Sequence, residues 1–359
     1  MTIDAMMAMM ILRECKIITA NKRFRTCRFF CYGSDLKPPW KILFFGNDSF
    51  SLYTLKMLSD DQKCKPLVKN LEVVTSVKMW SKDVVKQFAL ERNLKYHKWP
   101  LRSLKSGDFD FGIVVSFGKL IPESVINKFS LGILNVHASL LPRWRGAAPI
   151  IHAIANGDQM TGVTIMKIKP YHFDVGDILH QKEIPLERGI NAIQLHNKLG
   201  HLGAEALAEV LNDLSRYVKS ARPQPTENAT YAPKVAPVMS YINWETMPSE
   251  KICNISSALV KVYDLVAVWN KQLIKLLDIN EYGTPVNDDD FEIGGVQYNK
   301  NISKLLVKCQ DGKWISVGGV KIAGSKVISA TDFNNGYLKK QPKSMRKFTS
   351  YVDNLCKKS

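Results

Sequence analysis

Asn135 and His137 sit on either side of Val136, at the end of the short apolar run Gly132 to Val136. In an extended segment, side chains two residues apart point the same way, so an amide and an imidazole here converge on a single oxygen. Two such donors stabilise an oxyanion, the charge that develops when an amine attacks a carbonyl carbon. The third group this chemistry needs is a carboxylate. Asp174 in "YHFDVGDIL" (Tyr171 to Leu179) falls in a loop between two apparent strands, close to Gly176. It would hold His137 protonated and accept a proton from an amine. The plain alternatives are a histidine that only satisfies the core, and an Asp174 and Asp177 that only make turn hydrogen bonds. His152, His196 and His201 fall in helical patterns, where a partly exposed helix face accounts for them.

These groups need elements to carry them, and from Trp40 onward strand and helix patterns alternate. "KILFFG" (Lys41 to Gly46) reads as a strand. "SFSLYTLKMLS" after it repeats Leu52, Leu55 and Leu58 at helical spacing, with Ser49 as N-cap. Further strands are predicted at Leu71 to Val77, Phe111 to Ser116, Gly132 to Val136 and Gly162 to Ile168. Helices are predicted near 82–93, 122–129 and 147–156, with a long one from Asn191 to Tyr217. This predicts an α/β fold, a Rossmann-like, mostly parallel sheet with helices on both faces. Asn135 and His137 then lie at a strand's carboxyl end, where open sheets of this kind bind ligands. "FFGNDSF" has one of the three glycines of a dinucleotide fingerprint, so NAD binding is not supported.

Pro223, Pro225, Pro233 and Pro237 mark residues 219–238 as a linker. After a helix near 249–262 come short strands with Gly or Asn/Asp turns, among them the hairpin signal Asp311-Gly312. A smaller C-terminal OB-like β-barrel over 239–345 is the expected arrangement, with 346–359 as a solvated basic tail.

The chain has 359 residues, 45% of them hydrophobic, with 50 Lys and Arg against 33 Asp and Glu, a formal charge of +17. So large a positive charge points to a polyanionic partner. No apolar run reaches the roughly 18 residues of a membrane span. The seven cysteines show no metal-site or paired spacing, which argues against a metal or disulfide framework and for a reducing compartment. Residues 1–39 are Met-rich, basic and poor in acids, and end at Pro38-Pro39. They read as an organelle transit peptide, the alternative being a retained RNA-binding arm.

"NVHASLLPRWRGAAPI" together with "GVTIM" and "DVGDIL" resembles the formyltransferases that use 10-formyltetrahydrofolate, and its Pro-Arg-Trp-Arg-Gly-Ala-Ala-Pro form resembles the branch acting on methionyl-tRNA. The resemblance runs from about Lys41 to Tyr337, and with the leader it is to a mitochondrial-type, monomeric enzyme of the matrix. It implies Asn135, His137 and Asp174 as the catalytic set. It also implies a folate turn at "SFGKLIP", with Phe117, Gly118, Leu120 and Ile121 near the pterin beside Asp174, and no metal.

For the Met-tRNA partner the candidate contacts are Arg143 and Arg145, which can meet phosphates or the 3′ end, Lys78 and Lys82, and, from the charge of the second domain and its tail, Lys321, Lys326, Lys339 and Lys340. For the two arginines the alternative is a structural clamp on their loop. One departure stands out: bacterial members carry a longer basic insertion where this chain has only Thr75 to Lys86. Two rival readings stay open, a formyl transfer or hydrolysis involving a small molecule, and an RNA-binding protein without activity.

Overall fold

Apolar and aromatic side chains drive Trp40–Gly46 into a central strand, β1, buried along almost its whole length as a strand covered on both faces must be. The computed structural model describes residues 36–62, 64–76, 83–283 and 291–351. Residues 1–35 of the expected leader, and Lys78 and Lys82, lie outside the described residues.

After β1 the chain enters α1 (Ser49–Asp60). Its cap is Asp48 rather than Ser49: the Asp48 carboxylate accepts from the backbone N–H of Phe50 and Ser51, both at 3.1 Å. β2 (Val68–Thr75), α2 (Val84–Glu91), β3 (Tyr96–Lys98), β4 (Phe111–Val115), α3 (Glu123–Ile126) and β5 (Ile133–His137) follow. Past a two-residue strand β6 (Arg145–Gly146) come α4 (Pro149–Ala155), β7 (Met160–Lys167), β8 (Ile178–Pro185), α5 (Ala192–Asn212) and α6 (Leu214–Lys219). The helix expected to run unbroken from Asn191 is therefore two, and the Asp213 side chain caps the second by accepting from Arg216 N at 3.3 Å.

The sheet order is β3-β2-β1-β4-β5-β7-β8. The first five strands run parallel, whereas β7 is antiparallel to β5 and β8 antiparallel to β7. Because β2 lies on one side of β1 and β4 on the other, the order reverses between β1 and β4. That is a topological switch point, and the carboxyl ends of both strands part there to leave a crevice.

Both faces of the sheet are covered. Trp40 donates its indole N–H to Leu211 O of α5 at 3.0 Å on one side, while Leu43, Phe45, Val74, Ile126 and Phe129 form a core on the other. α5 approaches β5 closely enough that a Cβ at Gly203 would stand 2.8 Å from Val136 Cγ1. The glycine costs the helix about 1 kcal/mol and allows a helix to press on the strand between Asn135 and His137.

The C-terminal part begins with α7 (Ser249–Ala258) and continues as strands β10 (Leu265–Trp269), β11 (Gln272–Tyr282), β12 (Val296–Asn299), β13 (Lys304–Lys308), β14 (Trp314–Ile322) and β15 (Val327–Ser329), then α8 (Ala330–Phe333). They form an antiparallel sheet in the order β10-β11-β14-β13-β12, with β15 added on β14.

What closes it is the segment expected to be a solvated tail. Val296 N donates to Arg346 O at 2.7 Å and Phe348 N to Gly294 O at 2.9 Å, while Val268 and Thr349 exchange two backbone bonds at 3.0 Å. The segment thus bridges β12 to β10, the two open edges. Phe348 is fully buried among Trp244, Trp269 and Phe333, with ring centroids 5.7–6.3 Å away. The boundary drawn at 345 therefore cuts through this barrel, which extends to Ser350, whose hydroxyl accepts from Trp244 N at 2.9 Å.

The two parts touch through α7 and α4. Lys251 Nζ donates to Ala155 O at 2.6 Å and Asn156 Oδ1 at 3.3 Å, and Arg188 forks onto Glu281 of β11 at 2.8 and 2.7 Å. Beneath this contact burial raises the Cys253 thiol to about 12 and lifts Cys309 well above its ordinary range, so neither supplies a reactive thiolate.

Candidate active site

The crevice at the switch point opens into a cavity of 890 Å³, within the size range of sites that enclose a drug-sized ligand. Asn135, His137 and Asp174 line it, and so do Phe117, Gly118, Leu120 and Ile121. The turn contributes chiefly its backbone: Phe117 and Ile121 turn their side chains into the core beside Phe45 and Phe129, whereas Leu120 faces outward. Asn47 braces the floor. Its amide nitrogen donates to Ser76 Oγ at 2.8 Å and to the Phe117 carbonyl, and its oxygen accepts from Ser76 N at 2.8 Å, tying the ends of β1, β2 and β4 together.

β5 carries Asn135 and His137 on one side, 8% and 6% exposed. Asn135 Nδ2 donates to Asp174 Oδ1 at 3.3 Å, and the same oxygen stands 3.6 Å from His137 Nδ1. The other imidazole nitrogen, Nε2, lies 3.0 Å from the carbonyl of Trp144. A carbonyl only accepts, so Nε2 carries a hydrogen and the ring's orientation is set. Both Trp144, at φ 62, and Asp174, at φ 54, adopt the left-handed region. Each costs roughly 1–2 kcal/mol there, so the two residues that face His137 are held by their surroundings rather than by local preference.

The loop after β5 supplies much of that hold. Trp144 N donates to Thr230 Oγ1 at 2.9 Å, Arg145 N to Thr230 O at 2.8 Å, and β6 pairs in parallel with β9 (Tyr231–Ala232). Gly146 N donates to Asp174 Oδ2 at 2.9 Å. At φ 122, with a Cβ position 2.6 Å from Ala232 O, only glycine fits there.

Arg145 does not face solvent. It is 7% exposed and donates from Nε and Nη2 to Gln224 Oε1, so the clamp reading of this arginine replaces the RNA-contact reading. Arg143 pairs with Asp158 and stacks over Trp144 at 4.4 Å, with its side chain half exposed. Trp144 Nε1 also donates to Asp158, at 2.7 Å.

Three further cavity residues were not singled out from sequence. Lys234 brings a cation, and His172 and His196 bring imidazoles. His196 lies on the partly exposed helix face expected of it, and there it packs edge-on against Phe50 at 5.3 Å. Lys321, Lys326, Lys339 and Lys340 are all exposed on the barrel, away from the lining of this cavity. Among the described residues no group of three or more His, Cys, Asp or Glu is placed to hold a metal, and no helix is long and apolar enough to cross a membrane.

The formyl transferase family model matches residues 56–211, and the model of the formyl transferase C-terminal domain matches 234–338. The chain belongs to the formyl transferase family. The mitochondrial methionyl-tRNA formyltransferase of Mus musculus is 43% identical over 84% of this chain and 79% of its own length. That of Homo sapiens is 44% identical over 84% and 79%. A bacterial relative, the methionyl-tRNA formyltransferase of Caldicellulosiruptor saccharolyticus, is 35% identical over 70% of this chain and 82% of its own length.

Within the family the chain therefore stands among the methionyl-tRNA formyltransferases of mitochondrial type. Solved structures share the fold. A sugar 3N-formyl transferase, WlaRD, determined in the presence of dTDP and 5-N-formyl-THF, superposes with a TM-score of 0.58 at 18% identity, over 80% of this chain and all of that one. The N-formyltransferase of Helicobacter canadensis, in complex with folinic acid and dTDP-3-aminofucose, gives 0.56 at 18% identity, over 77% and 98%. Family members draw their formyl group from folate-derived donors.

Proposed function

We propose that this formyltransferase moves the formyl group of 10-formyltetrahydrofolate to the α-amine of methionine on tRNA, as a monomer in the mitochondrial matrix, and so supplies initiator tRNA for translation there. The observation that carries this is the convergence of Asn135, His137 and Asp174 on one wall of the switch-point cavity, in a chain of this family. The amine nitrogen bonds to the formyl carbon, the bond from that carbon to N10 breaks, and the proton lost by the amine ends on N10. Asn135 Nδ2 and a protonated His137 hold the negative charge on the formyl oxygen, each worth about 3 kcal/mol in a site that excludes water. Asp174 takes the amine's proton and passes it on, directly or through water.

The fit to a pterin is one of size and polarity: a cleft with apolar lining at Val114 and Ile168 and polar backbone along the 116–121 turn. For the tRNA, Lys234 places a cation beside the reacting groups, suited to a phosphate of the 3′ end. The body of the tRNA falls to the barrel, where Lys321 lies directly opposite Lys275 on the neighbouring strand. Asp264 already pairs with Lys275 at 3.4 Å, so Lys321 is the charge of this pair that a polyanion meets. Lys326, Lys339 and Lys340 add exposed charge to the barrel, and in this reading the half-exposed Arg143 and, from the sequence alone, Lys78 and Lys82 are further contacts.

The test is acceptor choice. Purified protein is given 10-formyltetrahydrofolate with either Met-tRNA or a dTDP-amino sugar, and formyl incorporation is measured from low to high salt. Transfer to Met-tRNA is expected, with kcat/KM for tRNA falling at least tenfold between about 50 and 200 mM salt and KM for the folate nearly constant. Transfer to the amino sugar but not to Met-tRNA would reject the proposal.

A further inference from the structure

We propose that Gln224 is a positioning residue for the transfer step, holding the Asp174 loop in the conformation that aims its carboxylate at His137. The inference rests on the role given to Asp174 above. The Gln224 carboxamide is fully committed. Its oxygen accepts from Arg145 Nε and Nη2 at 3.0 and 2.8 Å, and its nitrogen donates to the carbonyls of Asp174 and Gly176 at 3.0 and 2.8 Å. A guanidinium only donates and a carbonyl only accepts, so the amide can sit only this way round.

The residue is itself fixed on both sides. Arg222, two positions earlier, exchanges backbone hydrogen bonds with Ile178 at 2.8 and 2.9 Å, and Pro223 and Pro225 flank Gln224 with restricted backbones. Its other partner, Arg145, is buried and lies in β6.

The need for such a brace follows from Asp174. At φ 54 its backbone is in the left-handed region, which aspartate tolerates better than most residues but does not favour over the right-handed one, so its neighbours decide whether the conformation is kept. Gly146 N fixes the carboxylate at Oδ2, at 2.9 Å. Gln224 fixes the backbone behind it, and through Arg145 it draws on the same short strand that supplies Gly146. At Asp174 itself the loop is therefore held twice from one element, the side chain directly and the main chain through the glutamine. Tyr171, through Glu123, and Asp177, through Lys167 N and Lys169, pin the two ends of the loop, so without the amide the stretch between them is opposed in relaxing chiefly by the contacts of the carboxylate itself. A displacement on the order of 1 Å at a reacting group costs about 100-fold in rate.

Gln224→Glu keeps the size and the oxygen that accepts both N–H groups of Arg145 but turns an acceptor toward two carbonyls. In the full-length protein, kcat for formylation of Met-tRNA should fall about 30- to 100-fold, with KM for folate and tRNA within about threefold. The decisive readout is the double-mutant cycle with Asp174→Asn: in that background Gln224→Glu should cost less than about threefold further. Gln224→Met, without charge, is read through the same cycle should the glutamate variant fail to fold. Unchanged kcat in an active wild-type background, a loss confined to KM, or an equal loss with and without Asp174 would each overturn the inference. A wild-type protein inactive toward every acceptor would instead remove the functional reading, and this inference with it.

Discussion

Replacing His137 by alanine should lower kcat for formyl transfer by roughly 100- to 1,000-fold, the cost of removing one donor from a preorganised oxyanion site. The Trp144 carbonyl holds the imidazole through Nε2, which leaves Nδ1, 3.6 Å from Asp174, as the nitrogen that donates to the formyl oxygen in this account. Its removal leaves Trp144 O without this partner and opens a void beside the cavity, changes costing about 1–3 kcal/mol of stability. The far-ultraviolet circular dichroism spectrum should therefore match wild type while initial rates of formylation collapse. A variant with an unchanged spectrum and near-normal kcat would remove His137 from the mechanism. Asn135→Ala and Asp174→Asn should behave alike and combine non-additively with it, because the three groups touch one another.

Deleting Arg346 to Ser359 should unfold the barrel, although these residues look like a dispensable basic terminus. The deletion removes the backbone ladder that joins β10 to β12, exposes two strand edges and strips Phe348 from a pocket of three aromatic rings. Loss of a fully buried Phe side chain alone costs about 3–5 kcal/mol, a large share of the stability of a small domain. Phe348→Ala is the milder variant. Its thermal unfolding, followed by Trp fluorescence from Trp244, Trp269 and Trp314, should shift down by about 10 °C or more. If the truncated protein melts like the intact one, the closure of the barrel by its own end has no energetic weight.

The reacting groups were legible because their geometry is local. Asn135 and His137 are two residues apart on one strand, and period-two alternation alone puts them on one side. Asp174 could be read as a partner because a loop between two strand patterns returns to that edge. The parallel part of the sheet was legible for the same reason, in strand and helix patterns that alternate. Strand direction is not local: nothing in the apolar run from Gly162 to Ile168 says that β7 runs against β5.

The misreadings share a cause. Arg145 among prolines looks like a surface cation, and its burial depends on Gln224, 79 positions away. Phe348 is an aromatic in a basic stretch, and its pocket includes Trp244, more than a hundred positions earlier. Lys234 and His196 carry no periodic signal that separates a cavity wall from solvent.

The central claim is that Asn135 and His137 act on the transition state rather than on ligand binding. The measurement that reaches it most directly compares wild type with the Asn135→Ala, His137→Ala double variant. It records two quantities, the affinity for 10-formyltetrahydrofolate at equilibrium and the single-turnover rate of formyl transfer to bound Met-tRNA. Interactions made only in the transition state leave affinity within about threefold and remove at least 1,000-fold from the rate. A double variant that transfers formyl at the wild-type single-turnover rate, or whose loss lies wholly in folate affinity, would contradict the account.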